Sequence, residues 1–156
     1  MTRAKRLLLV AHAPSVNTSR MRDAVIRGAN NEDIANIELL STAPLDTRAD
    51  DIKMADAVII GTTENLGYMA GLIKDVFDRC YYPCIDDTQG LPFSFYVRAG
   101  HDGTGAKRAI ESITTGLRWR IVQEPLICKG HFDEAFITQC EELGMSMAAG
   151  LEAGIF

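Results

Sequence analysis

Three short segments of this sequence hold the residue types from which a ligand site can be built. The first, His12-Ala13-Pro14-Ser15-Val16-Asn17-Thr18, joins an apolar run to a helical pattern. Ser15, Asn17, Thr18 and Ser19 put hydroxyls and an amide where backbone N–H groups point out of a helix start, a combination that accepts a phosphate without a basic side chain. A plain helix cap by Asn17 or Thr18 uses the same residues. The second segment, Thr62-Thr63-Glu64-Asn65-Leu66-Gly67-Tyr68, sets a glycine beside an aromatic over a length that can wrap a planar ligand. Its plain alternative is a surface loop with Tyr68 packed on its own helix. The third, Ala99-Gly100-His101-Asp102-Gly103-Thr104-Gly105, is rich in glycine, which lets backbone approach a ligand closely.

Each segment comes directly after a short apolar run. Leu7 to Ala11, Ala57 to Gly61 and Phe93 to Val97 are unbroken, as strands buried on both faces are. Ile37 to Leu40 is a weaker candidate, and Ile121-Val122 through Leu126-Ile127 is a fifth, interrupted by Pro125. Helical spacing fills the intervals: Met21, Ala24, Val25 and Gly28; a short stretch around Asp50 to Met54; Met69, Leu72, Ile73, Val76, Phe77 and Cys80 up to Pro83; Ala106 to Leu117; and Phe132 to Leu151. Five strands alternating with helices predict a doubly wound α/β sandwich. In such a sheet a ligand sits beyond the carboxyl ends of the strands, which is where the three segments fall.

Composition narrows the classes. A chain of 156 residues suits a single domain, 1–156, with one core. A hydrophobic share of 47% and a charged share of 24% are ordinary for a globular protein and exclude disorder and coiled coil. The apolar run at Leu7 is too short for a membrane span or a signal peptide, so the expectation is a cytoplasmic chain. A net charge of −5 argues against nucleic acid as a partner. Cys80, Cys84, Cys128 and Cys140 form no C-x-x-C pair, which favours reduced thiols over disulfides or a metal site.

A phosphate-accepting loop and two loops suited to a flat ring, all at one sheet edge, describe a phosphorylated aromatic ligand. FMN fits better than ATP or NAD: there is no G-x-x-x-x-G-K-[ST], and the third segment reads G-x-x-G-x-G rather than G-x-G-x-x-G. At these positions the sequence resembles the flavodoxin-like FMN-binding family, in particular its NAD(P)H-dependent oxidoreductase and WrbA-like branch. The resemblance rests on His12 to Thr18, Gly61 to Gly71 and Leu72 to Arg79, with weaker support from Ala99 to Gly105. It implies a three-layer sandwich around a five-stranded parallel sheet of order 2-1-3-4-5. It also implies FMN phosphate on Ser15, Asn17 and Thr18, and the ring and ribityl chain between Thr62, Thr63, Glu64, Asn65, Leu66, Gly67 and Tyr68 on one side and Ala99, Gly100, His101 and Gly103 on the other. Three positions depart from the family: Ala13 stands for a hydroxyl residue, Val16 for glycine and Thr63 for a common proline.

The activity implied is hydride transfer from NAD(P)H to a quinone or similar small acceptor by ping-pong turnover, in a homodimer or homotetramer. Backbone N–H groups of Asn65 to Gly67 would stabilise negative charge on the reduced ring. Tyr68 and His101 are the candidate catalytic side chains, the imidazole as a proton donor. A loop histidine bonded to a carbonyl is the plain alternative for His101. His12 reads as structural, His131 as a surface residue, and Asp78 and Arg79 as salt-bridge or helix-end contacts. Two other readings stand beside the enzyme: a flavodoxin-type electron carrier without its own substrate, and a flavin-free interaction module. Related folds fail on sequence, since a response regulator lacks its acidic residues and phospho-acceptor here, and a small tyrosine phosphatase lacks its loop cysteine.

Overall fold

The computed structural model describes residues 3–156. Strands β1 (Lys5–Ala11), β3 (Ala57–Asn65) and β5 (Pro92–Ala99) form the centre of a parallel sheet with β2 (Ile37–Thr42) at its edge, and the two-residue β4 (Tyr68–Met69) folds back antiparallel on β3. Beyond β5 lie β6 (Arg120–Ile121) and β7 (Leu126–Lys129), both parallel to it. The sheet thus has seven strands in the order β2-β1-β3-β5-β6, with β4 on β3 and β7 on β5, where the sequence predicts five. Two local causes account for the difference. The segment around Pro125, which has no N–H to give a ladder, divides the outermost row in two, and the segment after the apolar part of β3 is itself a hairpin. With β4 set aside and β6 and β7 taken as one interrupted row, the path is 2-1-3-4-5.

The period of two along each strand separates two cores. Leu7, Leu9, Ala57, Ile59 and Tyr96 face α1 (Val16–Ala29) and α5 (Ala135–Ala153). Leu8, Val10, Val58, Ile60, Phe93, Phe95 and Val97 face α2 (Ala49–Lys53), α3 (Gly71–Ile85) and α4 (Thr104–Gly116). Gly28 and Gly144 let α1 and α5 touch backbone to backbone: a Cβ on Gly28 would overlap the Glu141 carbonyl, and one on Gly144 the Val25 carbonyl.

The third helix does not stop at Pro83; it runs on to Ile85 with the proline in its last turn. Buried Cys84 and a chain of hydrogen bonds hold that turn. Trp119 Nε1 donates to Thr88 Oγ1 at 2.9 Å, and Thr88 Oγ1 donates to the Cys84 carbonyl at 2.8 Å. Arg79 is a structural contact as expected: it donates to Asp75, to the Thr47 carbonyl and to the Pro44 carbonyl, at 2.8, 2.6 and 2.9 Å. All four cysteines are buried and free. No helix among the described residues is long and apolar enough to cross a membrane.

One polar atom of the core stands out. Tyr96 is buried against the α-carbon of Gly61, where a Cβ would overlap its ring, and among the described residues its hydroxyl has no hydrogen-bond partner. Burial pushes its pKa well above the ordinary phenol value. An unsatisfied buried hydroxyl costs about 1–3 kcal/mol. Tyr96→Phe is therefore expected to raise the unfolding free energy by about 1 kcal/mol, read as a higher urea midpoint with an unchanged m-value.

Candidate functional site

The strand ladders bring the three loops to one edge. Ala11 lies beside Gly61, and Gly61 beside Tyr96; His12 extends the first contact by donating its N–H to the Gly61 carbonyl at 2.9 Å. The next residues turn into α1. Ser15 caps that helix, rather than Asn17 or Thr18. The Thr18 N–H donates to Ser15 Oγ at 3.1 Å and the Ser15 N–H to Thr18 Oγ1 at 2.9 Å. The cap forms this way because Thr18 stands three residues after Ser15, the spacing at which two side chains can serve each other's backbone. Thr18 is thus buried in the cap and its hydroxyl donates to the Ser15 carbonyl at 3.1 Å. Val16 takes the first helical position with its side chain in solvent, a backbone setting that a β-branched residue adopts readily.

Two donors remain. The N–H groups of Val16 and Asn17 belong to the first turn and have no carbonyl acceptor among the described residues. Asn17 Oδ1 accepts from Arg20 Nη1 at 3.2 Å, which turns the amide NH2 away from the arginine. The chemistry of this donor set suits a phosphate, and it keeps that character although Ala13 and Val16 contribute no side-chain donor.

The second segment is a tight hairpin instead of an open loop. Strand β3 continues to Asn65, which pairs with Tyr68, and the chain reverses at Leu66 and Gly67 with φ of 53° and 73°. Two successive positive values define the mirror-image turn that matches strand twist. Thr62 ties the hairpin base: its Oγ1 accepts from the Ala70 N–H at 3.0 Å and donates to the Thr63 carbonyl at 2.9 Å. Thr63 Oγ1 donates to Asn65 Oδ1 at 2.8 Å. Glu64 is half-buried opposite Met69, while Asn65, Leu66, Gly67 and Tyr68 are exposed at the tip.

The third segment leaves β5 at Ala99. Gly100, His101 and Asp102 are exposed, and Gly103, at φ 72°, starts α4. Asp102 Oδ1 accepts the Thr104 N–H at 3.0 Å, and that backbone donor holds its carboxyl below the usual carboxylate range. Gly105 is where the second and third segments meet: a Cβ there would overlap the Gly67 carbonyl. The hairpin tip and the start of α4 therefore form one continuous wall.

Sequence reading missed the loop after β2. With His12, Ala13, Pro14 and Leu72 it bounds a groove of 660 Å3. Its signal is positional, since it too comes after the carboxyl end of a strand, but β2 is the weakest apolar run. Arg79 fixes this loop by its bonds to Pro44 and Thr47. A smaller cavity of 230 Å3, bounded by Leu7, Leu40 and Met54, lies away from the three segments. Among the described residues no three His, Cys, Asp or Glu side chains gather to hold a metal ion.

No family model matches the sequence, and no curated protein matches it. Solved structures do match in shape. An archaeal flavodoxin superposes with a TM-score of 0.74 at 18% identity, covering 92% of this chain and 96% of its own. A WrbA-like flavodoxin from Agrobacterium tumefaciens gives 0.70 at 16% identity, over 95% of this chain and 99% of that one. An oxidoreductase from Corynebacterium diphtheriae gives 0.68 at 13%, over 97% of both. The chain has the flavodoxin-like fold. At these identities the likeness is one of architecture, and the flavodoxin-like arrangement places all three segments at the carboxyl edge of the sheet.

The geometry of the turn and of the first loop can be tested by stability. A leucine in the left-handed region costs about 1–2 kcal/mol, so Leu66→Asn should raise stability by about 1 kcal/mol in a denaturant titration. Burial lowers the His12 pKa from 6.5. As pH falls through that value the unfolded chain takes a proton the folded chain resists, so stability declines. His12→Gln should flatten the decline between about pH 7 and 5, measured as unfolding midpoint against pH.

Proposed function

We propose that this protein binds FMN at the carboxyl edge of its sheet and works as an NAD(P)H-dependent oxidoreductase that reduces a quinone or similar small acceptor. The approach of Gly67 to Gly105 carries the reading, because it joins hairpin and third loop into one wall beside the open first turn of α1. The neighbours in fold include flavodoxins and an oxidoreductase, which favours a flavin over other phosphorylated rings.

Each segment then has a task. The Val16 and Asn17 N–H groups and the Asn17 amide bind the phosphate, with Ser15 at the rim and Thr18 holding the cap that presents them. Thr62 and Thr63 keep the hairpin closed so that Glu64, Asn65, Leu66, Gly67 and Tyr68 line one flank of the ring. The Leu66 and Gly67 N–H groups, which have no backbone partner outside the hairpin among the described residues, face charge that builds on the ring. Gly100 continues that wall, where the lack of a side chain permits close approach, and Ala99 and Gly103, buried beneath it, hold the third loop from the core side. Tyr68 and His101, both exposed at the mouth, orient the nicotinamide or the acceptor, and the His101 imidazole passes a proton to the reduced acceptor. FMN, when bound, supplies the two-electron chemistry between NAD(P)H and the acceptor.

A flavodoxin-type electron carrier is the second reading, favoured by the fold neighbours that are flavodoxins. The two separate on one assay. Apoprotein titrated with FMN should show a red-shifted, structured flavin absorption band saturating at one flavin per chain, and the complex should oxidise NADH or NADPH with a quinone and no partner protein. Binding without such turnover selects the carrier. No change in the FMN spectrum overturns both. The mass by size-exclusion chromatography, expected at a homodimer or homotetramer, is read on the same sample.

A further inference from the structure

The two edges of the sheet are built differently. On one side the outermost row is broken at Pro125 into β6 and β7, of two and four residues, with Arg120, Glu124 and Lys129 along it. Short strands, proline and charge are the means by which a sheet edge is kept from pairing with another chain. The opposite edge, β2, is one unbroken run of six residues, Ile37-Glu38-Leu39-Leu40-Ser41-Thr42, with a single charge and no proline. Among the described residues its strand partner is β1 alone.

The ladder to β1 fixes which groups of β2 are left over. The Lys5 N–H donates to the Asn36 carbonyl at 2.9 Å, and Lys5 pairs with Ile37. In a parallel ladder that pattern turns the backbone of Glu38, Leu40 and Thr42 toward β1 and the backbone of Ile37, Leu39 and Ser41 away from the sheet. These outward N–H and carbonyl groups have no hydrogen-bond partner among the described residues. Apolar side chains stand beside them: Leu40 is 46% exposed, and Met54, which follows α2, is 52% exposed. Both border the cavity of 230 Å3, together with Leu8, Glu38 and Ala55.

We propose that β2 pairs antiparallel with β2 of a second copy of this chain, about a two-fold axis at Leu39. The edge selects a second copy because it matches itself. With Leu39 opposite the partner's Leu39, Ile37 falls opposite the partner's Ser41, and every outward N–H and carbonyl of the three residues is bonded. Like faces of the sheet stay together, so Leu40 comes opposite the partner's Glu38 and over the partner's cavity. A shift that set Leu39 against the partner's Ile37 would bring Glu38 onto the partner's Glu38. The opposite shift would leave Ile37 beyond the end of the partner strand. The Leu39 register avoids both, and Glu38 keeps Arg6 beside it at 4.0 Å. In this pairing the two carboxyl edges point in opposite directions, so each candidate ligand site stays whole and open within its own chain. The inference is thus independent of the flavin reading.

Sedimentation of the full chain without flavin measures the association. The wild type should form a dimer of twice its 17.1 kDa mass. Leu40→Glu puts a carboxylate opposite the partner's Glu38 and should raise the dimer dissociation constant at least about tenfold. Glu38→Lys combined with Leu40→Glu sets opposite charges across the axis in this register and should restore association. Both side chains are exposed, so the variants should keep the far-UV circular dichroism of the wild type. Amide exchange adds a second reading: the Ile37, Leu39 and Ser41 N–H groups should exchange slowly at dimer concentrations and fast on dilution. A chain that is monomeric at every concentration overturns the proposal, even if an extended peptide binds the same edge. A dimer indifferent to Leu40→Glu, with those three amides fast at all concentrations, overturns it as well and places the interface elsewhere. A chain that dimerises as described but binds no FMN overturns the flavin reading and supports this one.

Discussion

The register that sets Ala11, Gly61 and Tyr96 side by side determines where every loop of the candidate site begins. Because side chains alternate with a period of two, a slip of one residue would exchange the two cores and send Leu7 and Leu9 to the wrong helices. Burial on both faces therefore locks the height of the loops as well as the sheet. The His12 N–H to the Gly61 carbonyl carries this lock one residue beyond the strand. Past the strand ends the structure is decided locally, by a cap at Ser15, a two-residue turn at Leu66 and Gly67, and a glycine start to α4.

Close backbone approach is the second shared device. Gly28 and Gly144 bring α1 against α5, and Gly105 receives the hairpin turn. The first contact fixes the direction of α1, and hence of the N–H groups at its start. The second closes the wall opposite. Gly61 has a different neighbour: it makes room for the Tyr96 ring, whose hydroxyl remains unpaired. The unpaired phenol belongs to the row of residues at which the first loop leaves the sheet, so local stability is given up close to the site.

The unbroken apolar runs make the strands legible in sequence, since Leu7 to Ala11 and Ala57 to Ile60 have no polar face to offer solvent. The three segments at the carboxyl edge are legible for the same reason, whereas the five-row order is implied by the family resemblance and not by the runs themselves. The hairpin is not, because leucine at Leu66 is a poor signal for a turn that prefers Asn-Gly. The helical cap reads two or three residues late because Asn17 and Thr18 have the same chemistry as Ser15, and only the reciprocal bonds choose among them. Pro83 looks like a stop because its missing N–H is visible in sequence, whereas the Trp119 and Thr88 contacts that hold the last turn are not.

The central claim is that the first turn of α1, the hairpin tip and the start of α4 take up one ligand together. Backbone amide shifts of the labelled protein, recorded as FMN is added, test it most directly. The account predicts the largest changes at Val16, Asn17, Leu66, Gly67 and Gly100, all saturating at one concentration. Changes confined to one of these segments, or centred on the cavity by Leu40 and Met54, would contradict it.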